Sequence, residues 1–316
     1  MASRKKGMHF VGLLSNVDSS ILKVDLEHGF RLEAIPTDEG FSLFSTLERI
    51  SPSRFPIFGI LGQYFSNIRC INQEEGEFYV IENSLLYTPD SDLFSRTAEL
   101  KKASEFRNNF VLGYLNPVIR LMRLFKEGDI RMPLIYFYVL DDKKVMPSSK
   151  FFSNRQISWE MYRLEDTHLG ELHEFIHETK IPFSEPSLQL AFENFERSYE
   201  IDNESLSFVT LIISLETLLN KSAQELRYRI SRNAAVLLGE DQEDSKKIFT
   251  EIKGLYDIRS EIVHSGKSKK FTKRDLLRLR HYVRESIKKI YSIGQSKEEI
   301  LNLLNSRGFG EKPSIE

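Results

Sequence analysis

Two side chains able to handle charge and protons together, Arg259 and His264, are separated by four residues. They sit in the run Leu255-Tyr256-Asp257-Ile258-Arg259-Ser260-Glu261-Ile262-Val263-His264-Ser265-Gly266-Lys267. The flanking sequence is strongly helical in pattern. At about 100° per residue, Ile248, Ile252, Leu255 and Ile262 share one apolar stripe, and Arg259 falls in its middle. A guanidinium keeps its charge and is costly to bury alone, so this position requires an anionic partner or a chemical task. His264, just before the helix stop at Gly266, can exchange a proton near neutrality. A permanent cation beside a titratable base suits a reaction in which a phosphate gains charge while a proton moves.

The spacing alone is unspecific, because a snorkelling arginine near a helix-terminal histidine satisfies it equally. Glu216 sharpens the reading. Apolar residues from Phe208 to Leu219 cover most of its helix, which places that helix centrally and leaves the carboxylate at least partly buried. A buried carboxylate and a buried guanidinium are best explained together, as a hydrogen-bonded pair. Such a pair either fixes helix register or orients Arg259 for chemistry. An ideal helix also turns Arg259 and His264 about 140° apart, so they cannot point the same way. Either the helix unwinds near Gly266, or the site is completed across a two-fold interface.

The run "LYDIRSEIVHSGK" resembles the end of the ApeA-like HEPN domain. Upstream, "SFVTLIISLETLLNKS" and "LRYRISRNAAVLLG" resemble the two preceding helices of that family, in the same order. The similarity runs from about Ser187 to Ser306. It implies that Arg259 and His264 form the site of a metal-independent endoribonuclease. The ribose 2′-hydroxyl would attack the adjacent phosphate, leaving a 2′,3′-cyclic phosphate and a 5′-hydroxyl. His264 would move the proton and Arg259 would stabilise the phosphorane-like charge, with Glu216, Asp257 and Ser260 in support. HEPN domains pair around a shared cleft, so a homodimer is expected, with no cofactor and no metal. The family is associated with defence against phage and abortive infection, which implies a toxin-like enzyme acting on RNA such as tRNA or mRNA. The alternative is a non-catalytic HEPN module that binds RNA or nucleotide, or only dimerises. The presence of both Arg259 and His264 weighs against it.

A basic stretch follows the motif. Ten lysines and arginines between Lys267 and Lys289, Arg280 and Arg284 among them, face only Asp275 and Glu285 as opposing charges. Lys267, Lys269 and Lys270, with Arg229 and Arg232 on an earlier helix, are the expected RNA contacts, although a charge run is more often a solvated face. A rival motif is His173-Glu174-Phe175-Ile176-His177, which matches H-E-x-x-H of zinc peptidases, with Glu196 at a compatible distance for a third ligand. The charged Glu178 and the nearby Pro182 argue against it.

At 316 residues, with 41% hydrophobic and 28% charged residues, the chain suits two soluble domains. The single cysteine, Cys70, fits a cytoplasmic protein without an internal disulfide. The net charge of −2 means that any RNA contact must come from a local patch. No apolar run is long enough to span a bilayer. The expected fold is α+β: a mixed α/β domain over residues 1–180, of sensor or regulatory role by elimination, then an all-α bundle over 187–306 and a tail over 307–316. Strands are expected at His9–Leu14, Ile21–Leu26, Phe30–Ile35, Glu77–Glu82 and Leu134–Leu140, with Asn67–Ile71 a further candidate. One long helix is expected over Glu105–Lys126, started late or bent by Pro117. Six helices are expected after the Pro182–Pro186 hinge.

Overall fold

Period-two alternation in the first part of the chain produces strands whose two faces are both buried. The computed structural model describes residues 7–49, 71–72, 75–85, 96–141, 144–152, 160–222 and 224–311. Its strands are β1 (Gly7–Ser15), β2 (Arg31–Pro36), β3 (Ile71–Asn72), β4 (Glu77–Leu85), β5 (Arg131–Asp141) and β6 (Lys144–Phe152). They form one sheet in the order β2-β4-β1-β5-β6, with β3 paired to β4 and every pairing antiparallel. Met8, Phe10, Tyr79, Ile81, Ile135 and Phe137 fill one side. Their sequence neighbours Val11, Val80, Leu134 and Tyr136 fill the other.

Helix α1 (Thr37–Arg49) covers the second side with Leu43, Phe44 and Leu47. Gly40 permits this close approach, because the Phe78 ring occupies the space a Cβ would need. On the first side run α2 (Arg96–Phe106), a π-helical stretch Arg107–Leu115 and α3 (Asn116–Phe125). Pro117 lacks an N–H and would clash with a carbonyl one turn back, which accounts for the wider turns before it and its place at the start of α3. The long helix expected over Glu105–Lys126 is thus present as one continuous helical run that begins earlier, at Arg96, and widens into π turns ahead of Pro117. Helix α4 (His168–Glu178) follows.

One expectation for this part needs correction, one falls mostly on undescribed residues, and one strand is additional. Ile21–Leu26 is not a strand: Ser19–Lys23 is a 3₁₀ turn opened by the Asp18 side chain accepting from the Ser20 N–H, and only Ile21 in it is buried. Of Asn67–Ile71, residues 67–70, Cys70 included, lie outside the described residues, and Ile71 begins β3. Strand β6 was not anticipated because Pro147 interrupts it. An edge strand tolerates a proline, and the register against β5 shifts beside it.

The chain separates into two compact units, Met1–Thr179 and Lys180–Glu316. The second unit is helical: α5 (Pro186–Ser198), α6 (Glu204–Leu219), α7 (Leu226–Leu238), α8 (Gln242–Ser265), α9 (Lys273–Ile293) and α10 (Lys297–Ser306). Local chemistry sets the starts. Asn203 and Asp241 accept from backbone N–H groups of α6 and α8, and Thr272 with Asp275 and Ser296 with Glu299 form capping boxes. Ala223, just before α7, lies outside the described residues.

Helix α5 packs on α6 and α7 on α8, while α9 lies against α5, α6 and α7. Residues 307–311 are not a loose tail. Phe309 rests on Phe249, and the Gly310 N–H donates to Ser245 Oγ. Residues 312–316 lie outside the described residues. Among the described residues, no helix is long and apolar enough to cross a membrane.

Candidate functional site

Helix α8 runs unbroken from Gln242 to Ser265 and ends at Gly266, which takes a left-handed φ of 74°. Unwinding before Gly266 is therefore not how Arg259 and His264 meet. His264 keeps its helical phase, about 140° around the axis from Arg259 and about 7.5 Å along it. Ile248, Ile252, Leu255 and Ile262 are all buried, and they enclose Arg259 as their spacing predicts. His264 is exposed. A single chain holds the cation in its interior face and the imidazole in water.

Arg259 and Glu216 face each other from α8 and α6, but not as the expected hydrogen-bonded pair. Nη2 stands 3.7 Å from Glu216 Oε1, and the side chains are 26% and 22% exposed. The short bond to that oxygen comes instead from the Tyr256 hydroxyl, at 2.7 Å. Burial, then the hydrogen bond to Glu216 and the charge of Glu216, push the Tyr256 phenol up to about 12, so it remains a donor at physiological pH. The Arg259 guanidinium lies 5.5 Å from the centre of the Tyr256 ring. Its Nε is buried and has no hydrogen-bond partner among the described residues. The cation is thus positioned by a carboxylate and an aromatic face, while its donors are left largely uncommitted. Tyr256 lies within the Leu255–Lys267 run, where its residue type alone marks no role. Its position three residues before Arg259, on the same side of the helix, was the available signal.

The remaining predicted residues divide. Asp257 turns to α7, where Arg227 Nε lies 3.1 Å from its carboxylate. Ser260 is half-buried one residue beyond Arg259. Lys267 and Lys269 are exposed just past the end of α8. Lys270 sits 2.9 Å from Glu261, whose carboxyl is held low first by the Ser268 hydroxyl and then by Lys270. Arg229 lies 3.9 Å from Glu225.

Arg232 is half-buried and committed to the end of the chain. It donates to the carbonyls of Leu304 at 2.9 Å and Arg307 at 2.6 Å, closing the end of α10. The basic run of α9 is likewise not one patch. Arg280 and Arg284 are each 3% exposed. Arg280 lies 4.1 Å from the Tyr199 ring centre, and Arg284 donates to the Tyr199 hydroxyl. Arg278 pairs with Glu251 and Lys288 with Glu285. Helical periodicity turned these cations to different sides, which the linear run concealed.

The H-E-x-x-H motif lies on α4 with His173, Glu174 and His177 exposed. Glu196 is buried in α5 at 6% exposure. Among the described residues, no three His, Cys, Asp or Glu side chains come together as a metal-binding group. No protein-family model, curated protein or solved structure matches this chain.

Proposed function

We propose that the chain is a metal-independent endoribonuclease of the HEPN type, resembling the ApeA-like proteins of anti-phage defence. The supporting observation is Arg259: a permanent, partly exposed cation held in an apolar stripe beside Glu216 and Tyr256, with no hydrogen bond to the carboxylate it faces. In the proposed reaction the 2′-oxygen of RNA forms a bond to the adjacent phosphorus and the bond from phosphorus to the 5′-oxygen breaks. His264 takes the 2′-hydroxyl proton, and a proton is returned to the leaving 5′-oxygen. Arg259 donates to the phosphate oxygens as their charge rises. A metal is not needed to supply the nucleophile, because the 2′-oxygen is already tethered beside its phosphorus.

The divergence of Arg259 and His264 on an unbroken helix gives this reading a condition. Each complete site takes the arginine from one copy and the histidine from the other, across a two-fold homodimer interface. The same divergence favours a second reading if the chain stays monomeric: a module that binds RNA or nucleotide through Arg259 and cleaves nothing. Incubating the full chain with total RNA in EDTA, beside His264→Ala and Arg259→Ala, separates the two. Cleavage products with 2′,3′-cyclic phosphate ends that disappear in both variants are expected. Equal cleavage by His264→Ala would overturn the ribonuclease reading.

A further inference from the structure

The side of α8 turned away from Arg259 carries a line of residues that leads to His264. Lys246, Phe249, Lys253, Ser260 and His264 fall within about 60° of one another around the helix, so His264 ends a stripe that begins several turns earlier. Phe249 is the centre of an aromatic group. Tyr228 of α7 meets it edge-on at 5.9 Å, and Phe309 lies 5.8 Å away. Lys253 Nζ sits 5.6 Å from the Phe249 ring centre. Tyr228 is 55% exposed, with much of its ring in water. Arg227 and Arg229 flank it in sequence, each with a side chain 46% exposed.

An exposed ring backed by a second, half-buried ring and bracketed by cations has the chemistry of a site for an unpaired nucleobase. The ring face stacks on the base, and the cations meet the backbone phosphates. We infer that Tyr228, Phe249 and Lys253 form a stacking subsite for single-stranded RNA, from which the strand runs along α8 to His264. The helix rises about 22 Å between Phe249 and His264, so the stacked base lies several nucleotides from the bond that is cut. The preferred substrate is therefore an extended single strand, since a duplex keeps its base faces closed. Arg227 and Arg229 already have carboxylate neighbours, so stacking contributes more of the affinity here than charge does. The inference rests on the ribonuclease reading for the role of His264, and on the aromatic group alone for binding.

The test uses full-length His264→Ala, which leaves RNA intact, and short fluorescein-labelled single-stranded oligonucleotides followed by anisotropy. Tyr228→Leu, which keeps an apolar contact to Phe249, is expected to weaken binding roughly tenfold with an unchanged salt slope. Tyr228→Phe restores it, and oligoadenosine binds more tightly than a duplex of the same length. Lys253→Ala lowers the salt slope by about one phosphate contact. Unaltered affinity in Tyr228→Leu would overturn the subsite while leaving the ribonuclease reading intact. Stacking-dependent binding in His264→Ala, together with no RNA cleavage by the parent chain, would sink the ribonuclease reading and leave the subsite standing. Absence of RNA binding altogether would remove both.

Discussion

The Tyr256 hydroxyl donates to Glu216 Oε1 at 2.7 Å, inside the 3.7 Å at which Arg259 Nη2 faces the same oxygen. The carboxylate is therefore anchored by a neutral donor and is left to attract the guanidinium without binding it tightly. That arrangement keeps Arg259 in place without a close hydrogen bond to Glu216, and it sets distinct expectations for the three residues.

Tyr256→Phe removes the donor and nothing else of size. Chemical denaturation should show a loss of about 1 kcal/mol. Cleavage should fall further than stability does, because Glu216 then becomes free to close on Arg259 and compete with the phosphate. Unchanged activity in a destabilised Tyr256→Phe would show that the bond serves only the fold.

Glu216→Ala should cost about 1–2 kcal/mol, below the 3–5 kcal/mol typical of breaking a fully buried pair, because both partners are partly solvated. Glu216→Gln retains an acceptor for Tyr256 and should recover most of that loss. Thermal melts of the two variants beside the parent chain measure the difference, and equal melting temperatures for Glu216→Ala and the parent would contradict it.

Composite sites predict complementation. Arg259→Ala and His264→Ala should each be inactive alone. Co-expressed and purified as mixed dimers, they should regain part of the activity, since one site in each mixed dimer keeps both residues. His264→Ala should melt within about 0.5 kcal/mol of the parent, as expected for a surface change. Mixed dimers that remain silent while each variant still dimerises would rule out a shared site.

Alkaline titration reports on Tyr256. Its folded pKa of about 12 lies above the ordinary 10.0, so its contribution to stability is complete below pH 10 and is lost as pH rises towards 12. Tyr282 is raised in the same direction, by burial and then by its hydrogen bond to Glu251. Urea midpoints at about pH 9 and 11 should therefore fall less in Tyr256→Phe than in the parent. An identical fall in both chains would place the Tyr256 phenol in solvent.

Arg232→Ala should loosen the chain end without touching RNA affinity. Its guanidinium bonds to Leu304 and Arg307 carbonyls predict a loss of about 1.5–3 kcal/mol and faster amide exchange over residues 304–311. An RNA-binding defect in a variant with normal exchange would return Arg232 to the nucleic-acid surface.

The helices of the second unit were legible in the sequence because apolar spacing and caps at Asn203, Asp241 and Thr272 are local signals. The enclosure of Arg259 followed from the same periodicity. The partner of Glu216 did not, since the choice between Arg259 and Tyr256 depends on how α6 and α8 are turned towards each other. Arg280 and Arg284 were misread for a related reason: their acceptors and rings, Ser198, Tyr199 and Phe195, come from a helix far away in sequence. The 3₁₀ turn at Ser19–Lys23 shows the local counterpart, a short apolar run diverted from a sheet by the Asp18 side chain.

The unbroken α8 also determines how such a protein could be disarmed. Arg259 is surrounded by Ile252, Leu255 and Ile262 and shares Glu216 with Tyr256, so most replacements there disturb folding together with chemistry. His264 stands in solvent on the last turn, where replacement leaves the bundle untouched. If the proposed activity became harmful in a lineage, a single codon change at His264 would remove it, and the folded bundle would survive for other uses.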